Sequence, residues 1–261
     1  MGQRIRSYTG TLLLLLLLFT GWELTVRIAN VPFYILPPPS RIFLVFFTRL
    51  PLLLFHGATT ILEITLGMLF GVAGGMLLAL AIFYLPFLEQ AIYPLIIASQ
   101  MIPIFAIAPL LVLWFGYGLW PKVTVAALIV FFPIVINTVD GLRSVREEMI
   151  DLMRSLRASE WQILCKVRLP ASLPFLFSGW KIGVTLSVVG ATIGEWIGAQ
   201  RGLGYLMIQS NALLRTDLVF ASILTLSLLG FLLFGILGIL ERHALQWRTR
   251  GVDSTAVKEK R

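Results

Sequence analysis

Apolar runs of about twenty residues, separated by short polar clusters, set the pattern of this chain. A helix of about 20 residues crosses a hydrocarbon layer of roughly 30 Å, so each run has the length of a membrane span. Stretches such as Thr11–Phe19 and Ala126–Ile136 are apolar on every face. A β-barrel needs strict alternation along short strands, so that architecture is excluded. The pattern predicts six helical spans, at about 8–29, 57–84, 91–113, 122–141, 175–198 and 217–240. Asn30 and Pro32 close the first and Pro86 the second, Gly116 and Pro121 part the third from the fourth, and Arg143 ends the fourth. The first run continues from Leu12 to Ile28 without a small-residue cleavage pattern, so it reads as a retained helix and not as a secretory leader. The fold class is therefore an all-α membrane protein of about six transmembrane helices.

Two segments break the pattern. Residues 30–56 contain Pro37-Pro38-Pro39-Ser40, a stiff extended stretch leading into Arg41–Arg49 that is expected at the surface. Residues 142–174 form a long connection in which Leu152, Met153 and Leu156, then Trp161, Ile163, Leu164 and Val167, recur at helical spacing. This predicts two short amphipathic helices with a basic exposed face. Such a face fits a groove on another protein or, alternatively, an anionic lipid surface.

Composition agrees with the pattern. Of 261 residues, 58% are hydrophobic and 13% charged, against roughly 45–50% apolar in soluble domains. The net charge of +8 would suggest nucleic acid in a soluble protein. Here the basic residues flank spans, where they set topology, and nucleic acid is not an expected partner. Placing the N-terminus in the cytoplasm puts Arg4, Arg6, the loop residues Arg143, Arg146, Arg154, Arg157, Lys166 and Arg168, and the tail residues Arg242, Arg248, Arg250, Lys258, Lys260 and Arg261 on one side. Both termini are then cytoplasmic. Cys165 has no second cysteine with which to pair, and His56 and His243 lack partners at ligand spacing, so no metal site is expected.

Gly67, Gly71 and Gly75, and Gly190, Gly194, Gly198 and Gly202, each recur at intervals of four. Small residues at this spacing mark helix contacts in lipid, either within one subunit or at a moving or dimer surface. Ionisable residues inside spans are functional candidates. Glu195, near the end of the fifth span, either braces a gate or pairs with a residue such as Arg201, or is an ordinary interfacial carboxylate. Glu63 and Lys181 line a path or satisfy polar partners between helices. The run Pro103–Pro109 interrupts the third span, where freed carbonyls near Gln100 and Met101 face a polar cavity lined by Ser99, Gln100 and Asn137, or merely kink the helix. Glu23 and Arg27 are an i, i+4 ion pair. No catalytic arrangement of Ser, His and Asp or of paired carboxylates stands out, so no catalytic residue is assigned.

The connection at 142–174 resembles the cytoplasmic "EAA" loop of permeases of binding-protein-dependent ABC importers, whose pattern is Glu-Ala-Ala, three residues, Gly, nine residues, Ile, one residue, Leu-Pro. Aligned on Leu169-Pro170, Asp151 takes the Glu position and Val167 the Ile position. Leu152 and Met153 replace the alanines, and Arg157, followed by Ala158, stands where the family has glycine. LPPPSRI at 36–42, IPIFAIAPLLVLWFGYG at 102–118, FFPIVINTVDGLRSV at 131–145 and GEWIGAQRGLGYL at 194–206 are similar to permeases of the nitrate, sulfonate and taurine group, which also includes transporters of bicarbonate and thiamine-precursor pyrimidines.

The resemblance implies a type I ABC-importer permease fold in a bacterial inner membrane. It divides the chain into an N-terminal helix and extracellular segment (1–56), a permease core (57–245) and a basic cytoplasmic tail (246–261). It further implies a second copy of the chain, two ABC ATPase subunits docked on Asp151–Pro170 with Trp161 at the contact, and an extracytoplasmic substrate-binding protein. The chain contains no G-x-x-x-x-G-K-[ST] phosphate loop, so no cofactor is expected on it, and ATP and Mg would belong to the partner ATPase. A secondary transporter or channel driven by an ion gradient is the alternative from a different class; a membrane scaffold is another.

Overall fold

The computed structural model describes residues 2–247, with side chains from residue 10 onward. The side chains of Arg4 and Arg6, and all but the first two residues of the tail at 246–261, lie outside the described residues. Every regular element among the described residues is a helix: α1 (Gly2–Ile28), α2 (Pro39–Thr48), α3 (Leu50–Tyr84), α4 (Pro86–Ser99), α5 (Ile104–Phe115), α6 (Trp120–Arg143), α7 (Glu147–Ser155), α8 (Glu160–Ile163), a π-helical turn (Leu164–Arg168), α9 (Leu169–Gly198), α10 (Leu203–Ala212) and α11 (Thr216–Ala244).

Among the described residues, five helices are long and apolar enough to cross a bilayer, and α4 with α5 forms a sixth crossing or a re-entrant loop. That pair corrects the expected single span at 91–113, because its halves meet at 101°. Pro103 is the cause. It disfavours helical geometry at Ile102 and itself takes the extended N-cap conformation of α5, φ −63° and ψ 118°. The connection after α6 also departs from expectation. Its first amphipathic helix is α7, but the second is continuous with the fifth span, from Glu160 through the π turn to Gly198, 39 residues in all. Such a helix is about 58 Å long, roughly twice the hydrocarbon thickness, so one end must project beyond it.

The chain divides into two compact units, one holding the residues up to Thr59 with Gln200–Ser227, the other Thr60–Ala199 with Leu228 onward. In the first, α2 begins at Pro39, a favoured first helical residue. Its N-terminus is capped from α1, because the Glu23 carboxylate accepts the Ser40 backbone N–H at 3.0 Å and the Ser40 hydroxyl at 2.7 Å. Arg27 completes the expected pair with Glu23 at 2.6 Å. Arg41 lies over the Phe33 ring and reaches Asp217 at 3.2 Å. His56 Nδ1 accepts the Gly202 N–H at 3.1 Å.

The second unit is organised around α6, which lies between two glycine-bearing faces. On α3, a Cβ added at Gly67 would sit 2.5 Å from Ala126 Cβ, at Gly71 2.7 Å from the Ala127 carbonyl, and at Gly75 2.8 Å from Ile134. On α9, added Cβ atoms at Gly179, Gly190 and Gly194 would meet Pro133 O at 2.8 Å, Ile129 Cδ1 at 2.6 Å and Lys122 Cα at 3.0 Å. Both glycine stripes are thus contacts within one chain where they face α6. Gly202 is different: its φ of +121° serves the turn into α10. Ala126, Val130, Ile134 and Val135 of α6 are fully buried as a result.

This seam predicts a contrast between two glycines. Gly67→Ala overpacks the α3–α6 contact and should destabilise the protein by about 1–3 kcal/mol. Gly235→Ala on α11, where nothing lies within 4 Å, should be neutral or gain up to about 1 kcal/mol of helix propensity. Thermal unfolding of both variants in detergent checks this, and equal midpoints would refute the seam.

Candidate functional site

The connection after α6 is closed by caps and hydrogen bonds along its length. α7 begins with Glu147 and Glu148 in its first turn, a placement that complements the helix dipole. It ends in a Schellman motif: Ala158 N–H donates to Met153 O at 3.0 Å and Arg157 N–H to Arg154 O at 2.9 Å. The motif needs a left-handed residue at Arg157, whose φ is +58°. Arginine therefore accepts the backbone conformation for which glycine is suited, at a cost of about 1–2 kcal/mol. Leu214 (φ +56°) and Asn30 (φ +48°) end α10 and α1 in the same way.

Two residues later the chain re-enters a helix through a capping box. Ser159 Oγ accepts the Gln162 N–H at 3.3 Å, and Gln162 Oε1 accepts the Ser159 N–H at 2.9 Å. The S-x-x-Q spacing was visible in the sequence and marks this helix start. Arg154 crosses the turn to Glu160 at 3.1 Å, with Asp151 at 3.8 Å. At the base, Arg168 donates to Leu142 O at 2.9 Å and stacks over the Phe83 ring at 4.6 Å.

This scaffold sorts the apolar side chains into two sets. Ile150, Ile163 and Leu164 are buried, whereas Leu152, Leu156 and Trp161 are 55, 69 and 71% exposed and Met149 is exposed beside them. Asp151 and Arg157 are exposed, and Met153, Ala158, Val167, Leu169 and Pro170 half-buried. The capped helices hold this exposed apolar area in a fixed arrangement.

The buried charges gather on α3, α6 and α9. Glu63 is fully buried, and Lys122 Nζ lies 2.6 Å from its Oε1. Glu195 is 1% exposed, so it does not reach out to headgroups, and it accepts the Thr60 hydroxyl at 2.6 Å. The two carboxylates are close enough to interact electrostatically. Sequence reasoning singled out Glu63 and Glu195 but missed Lys122, whose place after Pro121 reads as an ordinary flanking charge. Close approach of α9 at Gly194 to the Lys122 backbone draws these groups together. Lys181 forms an ion pair with Glu241 between α9 and α11.

The α4–α5 break opens onto a cavity of about 390 Å³. Ser99 and Gln100 line it, with Pro103, Phe132 and Pro133 among its walls. Asn137 lies elsewhere: its amide donates to Pro133 O at 2.8 Å, and it packs against Gly179. Neither Glu63, Lys181 nor Glu195 lines this cavity. Among the described residues no group of three or more His, Cys, Asp or Glu side chains is placed to hold a metal ion.

A polytopic helical membrane protein with a broken span beside a cavity, and a capped apolar loop on a helix longer than the bilayer is thick, has the parts of a transport subunit. Residues 71–246 match the family described as "Binding-protein-dependent transport system inner membrane component". A probable ABC transporter permease protein of Haemophilus influenzae is 41% identical over 85% of this chain and 91% of its own. The formylaminopyrimidine transport permease protein ThiX of Halalkalibacterium halodurans is 39% identical over 94% of this chain and 99% of its own. The taurine transport system permease protein TauC of Escherichia coli is 29% identical over 95% and 91%. A solved structure of the MetNI methionine ABC transporter in an inward-facing conformation shares the fold, with a TM-score of 0.59 over 71% of this chain and 93% of that one at 18% identity. The chain belongs to the inner-membrane permeases of ABC importers, in the nitrate, sulfonate and taurine group.

The buried pair makes a sharp prediction. Lys122→Met leaves Glu63 without its cation and should destabilise the protein by about 3–5 kcal/mol, whereas adding Glu63→Gln to it should recover most of the loss. Unfolding midpoints of the single and double variants decide this. A single variant as stable as wild type would show that the pair contributes nothing.

Proposed function

We propose that this chain forms one half of a homodimeric permease that imports a small solute by alternating access, powered by two separate ATPase subunits. The observation that carries the reading is the exposed set Met149, Leu152, Leu156 and Trp161, held by the Schellman turn on one side and the capping box on the other. The partner ATPases bind ATP and Mg, close on one another, and displace this loop. The helix Glu160–Gly198 carries the displacement directly into the spans. A binding protein outside the membrane delivers the solute, drawn from nitrate, sulfonates, taurine, bicarbonate or pyrimidines. The buried charges favour this over coupling to an ion gradient, because Lys122, Glu63, Glu195 and Lys181 all engage protein groups.

Both termini and the loop face the cytoplasm in this reading, and residues 199–216 face outside. In a Cys165→Ser background, an impermeant thiol reagent should label Gln209→Cys in intact cells but not Ser159→Cys. The reverse pattern refutes the orientation.

Co-expression with the partner ATPase should yield a complex of two permeases and two ATPases. Arg157→Glu should weaken it at least about fivefold, by reversing charge beside the apolar contact. Arg157→Gly should retain it, because glycine relieves the left-handed strain of about 1–2 kcal/mol. Pull-down across a salt series reads both. Equal retention of the two variants at low salt removes Arg157 from the contact.

A further inference from the structure

The cavity at the α4–α5 break has an unusual property for a group of permeases whose solutes include anions: among the described residues, no Asp, Glu, Lys, Arg or His lines it. Charges on neighbouring helices are engaged elsewhere, Lys122 by Glu63, Lys181 by Glu241, and Glu195 by Thr60. Helix ends do not supply the missing charge. The N-terminus of α5 begins at Pro103 without a side-chain cap, and the C-terminus of α4 ends at Gln100, so partial charges of about +0.5 and −0.5 meet at one break and oppose each other. A sulfonate or nitrate entering here would lose its hydration with no counter-charge, which is strongly unfavourable.

The polar groups that remain point to one chemistry. Gln100 is exposed on the cavity, and its carboxamide presents a donor and an acceptor side by side. That pairing matches the edge of an aminated nitrogen heterocycle, as when glutamine reads the amino group and ring nitrogen of adenine. The Ser99 hydroxyl gives its proton to Ile96 O at 2.7 Å, leaving its lone pairs as acceptors. Phe132, Pro103 and Pro133 add flat apolar faces against which a ring can stack. A volume of about 390 Å³ falls within the usual range of small-molecule sites, roughly 300–1,000 Å³.

We propose that this cavity receives an uncharged, flat nitrogen heterocycle bearing a hydrogen-bond donor beside an acceptor, with the Gln100 carboxamide pairing with that edge. The proposal deepens the permease reading and rests on it. The α4–α5 break is then a solute contact as well as a bend, and Gln100 determines specificity.

The test uses the whole transporter, this chain with its ATPase and binding protein in proteoliposomes supplied with ATP. Uptake of radiolabelled formylaminopyrimidine is compared with that of taurine and methanesulfonate. The wild type should import the pyrimidine and leave both sulfonates at background. Gln100→Leu, which keeps the bulk and removes the carboxamide, should lower pyrimidine uptake at least about tenfold, the loss associated with one bidentate pair. Should that variant fail to assemble, Gln100→Glu, which keeps the shape and replaces the amide donor with a carboxylate oxygen, is read in its place and should lower pyrimidine uptake as far. Import of either sulfonate, absence of pyrimidine import, or a Gln100→Leu transporter as active as wild type overturns the solute class while leaving the permease reading in place. Failure of the wild-type chain to form an ATP-hydrolysing complex overturns both.

Discussion

The close approach of α3 and α9 to α6 is the constraint on which the rest of the second unit depends. Lipid tails are as apolar as leucine, so helices in a bilayer gain nothing by hiding apolar surface and must associate through tight packing. Glycine makes that packing possible here by leaving no Cβ between backbones: Gly67, Gly71 and Gly75 from one side, Gly179, Gly190 and Gly194 from the other. The buried ions follow from it. Lys122 lies against Gly194, and the Glu63 carboxylate meets its ammonium in a space that admits no water-exposed alternative for either group.

Much of this was legible in the sequence because the bilayer imposes a coarse rule. Length and hydropathy alone placed the spans, and the i, i+4 glycines announced that helices would touch. What they touch was not legible, since spacing on one helix says nothing of the residue facing it across another. Lys122 illustrates the limit. A lysine just after a proline at the start of a span reads as a topological charge, and only the approach of α3 brings Glu63, fifty-nine residues earlier, to within 2.6 Å of it. Pro103 signalled an interruption, but a proline fixes local backbone and not the 101° between the helices it separates.

The loop was legible in a different way. Its resemblance to the coupling loop of ABC permeases set Arg157 at the family's glycine, and the hydrogen bonds at Ala158 and Arg157 show that the chain turns there: the last carbonyls of α7 find their partners as the chain passes through a left-handed residue. Arginine accepts this because its strain of about 1–2 kcal/mol is offset by two capping bonds worth about 0.5–1.5 kcal/mol each. The expected second amphipathic helix, by contrast, had no sequence signal to distinguish it from the start of a longer one. Gly and Pro punctuate most other junctions, but Leu164–Arg168 contains neither, and the helix continues through them by widening into a π turn.

That continuity changes how force can travel through the molecule. Two short helices joined by flexible turns would absorb a push on Trp161 within the loop. On the proposed reading, a single helix from Glu160 to Gly198 carries that push along about 58 Å into the spans. The helix passes the Lys181–Glu241 pair and reaches Glu195 without a proline beyond Pro174. Its glycine face is packed closely on α6, through Gly179, Gly190 and Gly194. The hydrogen-bond ladder of this helix is loosened at the π turn and again at Pro170 and Pro174, which have no backbone donor, and Arg168, tied there to Leu142 O and the Phe83 ring, anchors that stretch. On the proposed reading, the chain converts a contact at one end into a shift of a packed helix pair, and the second half of the broken span moves with that pair, because Ala108 and Leu111 of α5 are packed with Val125 of α6 and Ile193 of α9.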